Sequence, residues 1–106
     1  MNEGDAVFRA LLDAHAAGRP VVLATVVDAR GSVPRHPGSR MLVDPGAGLV
    51  GTIGGGCGEA DVIAAAQEVL ASGEPRLIRV ELTDSTEGWS PAICGGVMEV
   101  LVEPVG

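Results

Sequence analysis

Apolar positions first recur at helical spacing. Val7, Phe8, Leu11, Leu12 and His15 share one side of residues 3–17, which predicts an amphipathic helix. Gly18 follows as its C-terminal cap, and Pro20 blocks continuation. His15 then reads as a half-buried polar tip of that face rather than a ligand. The run VVLATVVDA (21–29) is almost continuously apolar and β-branched, the pattern of a strand covered on both faces. Residues 30–39 contain Gly31, Pro34, Pro37 and Gly38 and read as loop. RMLVD (40–44) and GLVGTIG (48–54) predict two short strands around the turn PGAG. A second helix is expected from Glu59 to Ala71, with Val62, Ile63, Ala66, Val69 and Leu70 on one side, ended by Ser72-Gly73-Glu74-Pro75. RLIRVELT (76–83) alternates, placing Ile78, Val80 and Leu82 inward and Arg79 and Glu81 outward. VMEVLVEPV (97–105) alternates likewise, which implies one wetter face. Residues 84–96 show no period, carry the only tryptophan, Trp89, and predict a long surface loop of the kind that often holds function.

The predicted order is α-β-β-β-α-β-β. It describes an α+β (or α/β) fold, a roughly five-stranded mixed sheet with two helices packed on it. At 106 residues, positions 1–106 form one domain with a single modest core, built from Val, Leu, Ile and Ala because only Phe8 and Trp89 are aromatic. No apolar run approaches the roughly 20 residues a membrane helix needs, and the N-terminus lacks a signal-peptide pattern. The expected location is cytoplasmic, where two cysteines are free thiols rather than a disulfide.

The net charge of −7 argues against nucleic-acid and anionic-membrane partners. Its distribution is uneven. Lysine is absent, and three of the seven arginines, Arg30, Arg35 and Arg40, fall in RGSVPRHPGSR, a stretch with no acid. Such a cluster is either a solvated loop or a local anion site, since the guanidinium fork suits phosphate and carboxylate.

Between the third predicted strand and the second helix lies GTIGGGCGEA (51–60). A glycine-rich strand-to-helix turn aims backbone N–H groups at a helix N-terminus, where the macrodipole favours anions. Gly54, Gly55 and Gly56 would let an anion, or another chain segment, touch the backbone; a tight internal crossing is the competing explanation. The named nucleotide motifs fail: G-x-G-x-x-G would need glycine at Glu59, and the P-loop needs a lysine. Cys57 precedes the predicted helix and is a candidate for a lowered pKa, while Cys94 opens a second glycine cluster, CGG. Each could equally be a small core hydrophobe. Cys57, Cys94, His15 and His36 lack zinc spacing. Glu59 complements the helix dipole or acts as an acid.

Three blocks in order, GSVPRHPGSRMLV, GTIGGGCGEADV and CGGVMEVLVEP, resemble the XdhC/CoxI family of molybdenum-enzyme maturation factors. The resemblance runs from the first helix to Pro104. It implies a chaperone rather than a catalyst, one that binds molybdenum cofactor (molybdopterin) as cargo. The chaperone would protect it while sulfur is installed and deliver it to a xanthine dehydrogenase-like or carbon monoxide dehydrogenase-like enzyme. Carried over by position, the cofactor-binding residues are Ser32, Arg35 and Arg40; Gly54, Gly55, Gly56, Cys57 and Glu59; and Cys94, Gly95 and Gly96, with Cys57 or Cys94 a candidate molybdenum contact. Partners implied are the client molybdoenzyme, a cysteine desulfurase, and a second copy in a homo-oligomer. Longer members add a C-terminal Rossmann domain, absent from these residues, so a separate Rossmann-domain chain is a further candidate partner. Gly58 departs from the larger apolar residue usual in the family. Two other functions stay open on the residues alone: a thiol-dependent sulfur-transfer protein using Cys94 or Cys57, and a structural oligomerising module.

Overall fold

The computed structural model describes residues 3–31, 37–46, 48–51, 59–81 and 96–105. Two helices and five strands follow in the order α1 (Glu3–Ala16), β1 (Val21–Arg30), β2 (Arg40–Asp44), β3 (Gly48–Gly51), α2 (Glu59–Ser72), β4 (Arg76–Glu81) and β5 (Val97–Val105). The architecture is the expected α+β fold. The strands form one sheet in the order β3-β2-β1-β5-β4. Every pairing in it is antiparallel, which corrects the expectation of a mixed sheet. The reason is positional. α2 carries the chain from β3 at one edge to β4 at the other, so the two strands it joins run in the same direction without being neighbours.

Both helices stop where the sequence indicates. At the end of α1, Arg19 N–H donates to Ala14 C=O (2.9 Å) and Gly18 N–H to His15 C=O (3.1 Å), with Gly18 at φ 73°. This is a Schellman cap, which requires the left-handed conformation that glycine adopts at little cost. α2 ends in the simpler form, Gly73 N–H donating to Val69 C=O at 2.8 Å.

The sheet separates two apolar clusters. Val22, Ala24 and Val26 of β1 join Met41, Val43, Met98, Val100, Val102 and Val80 beneath Val62, Ala65, Ala66 and Val69 of α2. The alternate β1 residues Val21 and Leu23 join Leu42 beneath Val7 and Ala14 of α1. β1 is therefore apolar on both sides because a helix covers each, as its unbroken run predicts. α1 buries a narrower stripe than its spacing suggests. Val7 and Ala14 are inaccessible, whereas Phe8 is 44% and Leu12 67% exposed. His15 is exposed in the last turn of α1 instead of half-buried, because the buried stripe passes through Val7 and Ala14 (one heptad apart) and misses it.

The helices also cover different halves of the sheet. α2 packs on β5, β1 and β4, whereas α1 packs on β2 and β3. On the α1 side neither helix covers the β5–β4 half, which is uncovered among the described residues, with Leu77 and Val27 60% and 46% exposed. β5 alternates between buried Met98, Val100 and Val102 and partly exposed Val97, Glu99, Leu101 and Glu103. Its wetter face is this uncovered half. No helix among the described residues is long and apolar enough to cross a membrane.

Candidate functional site at one end of the sheet

The register brings the described residues that flank the three sequence blocks to one end of the sheet. Arg30, the last residue of β1, pairs with Val97, the first of β5, and Val97 pairs with Glu81, the last of β4. β2 starts on the same side: Arg40 pairs with Thr25, and Gly38 and Ser39 continue the ladder by exchanging hydrogen bonds with Val26 (2.7 and 2.9 Å). Gly51, the last residue of β3, pairs with Met41 near that end. The chain thus leaves this end after Gly31, Gly51 and Glu81 and returns to it at Pro37 and Gly96. α2 hands over to β4 at Arg76, which pairs with Val102 toward the opposite end. Its 14 residues span about 21 Å. The first turn, with Glu59 and Asp61, therefore points back toward the end where those flanking residues gather.

Of the cofactor-binding residues carried over from the family, Arg40, Glu59 and Gly96 are described. Ser32, Arg35, Gly54, Gly55, Gly56, Cys57, Cys94 and Gly95 lie outside the described residues, as do His36, Leu82 and Trp89. Gly96 is buried at the start of β5. Glu59 opens α2, where its charge complements the helix N-terminus. Arg40 stands on the α1 side. Its guanidinium lies 5.1 Å from the centre of the Phe8 ring and donates to Gly38 C=O at 3.3 Å. Such cation–π contacts are worth about 0.5–1 kcal/mol at exposed sites and hold the side chain in place. The acid-free arginine cluster also has a neighbour that its spacing hides. Arg30 Nε donates to Asp28 Oδ2 at 3.1 Å, just upstream of the stretch.

Gly51 shows why the second block opens with glycine. Its φ is +80°, and a Cβ there would lie 2.7 Å from the Arg40 carbonyl oxygen and 2.8 Å from Val7 Cγ2. β3 thus meets β2 and α1 at a point that admits no side chain. The segment 52–58 is launched from there.

Sequence reasoning missed a shallow cavity of about 190 Å³ on the uncovered half of the sheet, lined by Asp28, Arg30, Arg79, Val97 and Glu99. A β-bulge builds it. The β1–β5 register shifts between Val26 and Asp28, so Asp28 and Arg30 share a face with Glu99 and Val97, while Ala29 turns to the α2 core. Without the extra residue the alternation would send Asp28 and Arg30 into that core. Only strand pairing reveals this. The outward positions of Arg79 and Glu99 were the available signal. Among the described residues no group of three His, Cys, Asp or Glu could hold a metal ion.

The fold agrees with comparison to known proteins. A profile of the XdhC and CoxI family matches residues 14–81, and the chain belongs to that family. It is 38% identical over 87 residues to the uncharacterized protein YqeB of Escherichia coli K12, covering 82% of this chain and 16% of YqeB. It is 36% identical over 73 residues to the molybdenum cofactor insertion chaperone PaoD of the same organism, covering 69% of this chain and 23% of PaoD. A solved structure described as a xanthine dehydrogenase from Bacillus halodurans superposes with a TM-score of 0.78 at 30% identity. That superposition covers all of this chain and 31% of the other. The chain therefore spans less than a third of the length of these relatives.

Proposed function

We propose that this protein acts in molybdoenzyme maturation, binding molybdenum cofactor as cargo and passing it to a xanthine dehydrogenase-like or carbon monoxide dehydrogenase-like client. The observation that carries the reading is that the described residues flanking all three blocks lie at one sheet end in a member of this family. Similarity to PaoD supports the cargo. The cofactor offers two chemically different ends, and the chain has a group for each. Its terminal phosphate suits Arg35 and the backbone amides of Gly54, Gly55 and Gly56, which precede α2 in sequence, with Arg40 and Ser32 as further donors. Its sulfur-rich metal end suits the soft thiols Cys57 and Cys94. Gly95 and Gly96 let the third block approach without a Cβ. Protection and sulfuration call on a cysteine desulfurase. The further length seen in relatives, a Rossmann domain in this reading, is either joined to this domain or supplied as a partner chain.

The test is retention of molybdopterin through purification, followed by titration calorimetry. Charge-assisted hydrogen bonds contribute roughly 1.5–3 kcal/mol, so Arg35→Ala is expected to weaken binding about tenfold or more. Gly55→Ala should abolish binding with an unchanged melt. Unaltered affinity in both variants would refute the phosphate site. A persulfide on Cys94 or Cys57 formed without any pterin bound would favour sulfur transfer instead.

A further inference from the structure

We propose that the cavity over β1, β5 and β4 binds a planar heterocycle with a 2-amino-4-oxo-pyrimidine edge, the edge shared by pterins and guanine. The assignment to a pterin rests on the maturation reading above. Two cross-strand rows form the floor: Asp28–Glu99–Arg79 and, two residues along, Arg30–Val97, with Glu81 next in that row but outside the lining. Strand spacing and rise give it about 10 by 7 Å, the footprint of a fused bicyclic ring. Val97 supplies an apolar surface beneath such a ring.

The charges select the ligand. Two arginines face two carboxylates around the cavity. A phosphate would meet Asp28 and Glu99, and a cation would meet Arg30 and Arg79. A neutral ring offering donors and acceptors side by side suits both. Asp28 is already committed: Oδ1 accepts from Ala29 N–H at 3.0 Å and Oδ2 from Arg30 Nε at 3.1 Å. Glu99, paired in register with Arg79, is the carboxylate left to receive a ligand. The ring's two adjacent N–H groups present the same fork as a guanidinium, which a carboxylate accepts bidentately. The neighbouring ring carbonyl accepts from Arg79. The location agrees. Arg30 immediately precedes the first sequence block and Val97 belongs to the third, so the cavity lies at the sheet end from which the chain enters the first block.

The test uses the intact chain and 6-hydroxymethylpterin, which has neither phosphate nor metal, followed by its fluorescence, with GMP and AMP in parallel. Saturable pterin binding is expected. Glu99→Gln, which keeps size and removes charge, should weaken it about tenfold or more, and Arg79→Ala several-fold. Glu103→Gln, on the same strand face outside the cavity, should not alter it, and all three variants should melt like the parent. Competition by GMP but not AMP would confirm the edge chemistry, and the tighter of pterin and GMP identifies the source. Binding of AMP as tight as pterin, no pterin binding, or equal binding in Glu99→Gln overturns the proposal. The two readings fail separately. Molybdopterin retention independent of Glu99 refutes this site alone, whereas Glu99-dependent pterin binding in a chain that never retains molybdopterin refutes the maturation role alone.

Discussion

The two faces of the sheet share their strands yet differ in kind. Under α2, residues of four strands and one helix close into a continuous apolar cluster. Under α1 the core is small, and the sheet then opens into charged cross-strand rows around a cavity. The difference teaches that a single strand can serve stability on one side and recognition on the other. β5 does both by simple alternation, and β1 does so only because a bulge changes its phase after Val26.

Four substitutions can break or sharpen that contrast. Gly51→Ala carries the largest expected effect. The left-handed backbone costs an ordinary residue roughly 1–2 kcal/mol, and overpacking against Arg40 C=O and Val7 adds roughly 1–3. A loss of about 4 kcal/mol in denaturant unfolding is expected. Gly73→Ala, with a similar φ and open space around it, should lose only the backbone part. Equal losses at both positions would show that packing at Gly51 contributes nothing.

Met98→Ala should rank next. Met98 is inaccessible in the α2 cluster, and truncating such a side chain costs about 3 kcal/mol through lost burial and a residual cavity. Its near neighbour Glu99 should tolerate glutamine without measurable loss. If both variants melt alike, the distinction between faces fails.

Asp44 tests a buried polar tie on the α1 side. It is 4% exposed, accepts from Arg19 (2.9 and 3.4 Å) and from Gly46 N–H (2.9 Å), and anchors the β2–β3 turn to the end of α1. Asp44→Ala should lower the melting midpoint by about 5 °C. The hydrogen bond to Asp44, then its charge, raises the Arg19 pKa above its ordinary value. A raised pKa means that Arg19 stays charged, so this contribution is present at neutral pH and is lost only as pH climbs through the folded-state value, far above neutrality. The difference between parent and variant should therefore stay constant from about pH 7 to pH 10. A difference that shrinks across that range contradicts the assignment.

The smallest effect is expected at Leu77→Ser. Leu77 lies on the uncovered half and is 60% exposed, so the change should fall within about 0.5 kcal/mol. A larger loss would mean that this half is covered in solution.

Much was legible in the chain itself because it depends on local physics. Spacing located both helices to within a residue, Gly18 and Gly73 marked their ends, and the unbroken run of β1 foretold a helix on each side. Blocks around Arg35, Gly55 and Cys94 announced the family. Tertiary structure alone decided the rest. Strand order and direction depend on where α2 crosses the sheet, which no local pattern encodes. The all-antiparallel pairing follows from that crossing. The bulge after Val26 is visible only against β5, because a phase change in one strand has meaning only relative to its partner. Arg30 meets Asp28, Arg40 meets Phe8, and Glu99 stands between Asp28 and Arg79 for the same reason: pairwise contacts are set by register, whereas residue type sets only what those contacts can do.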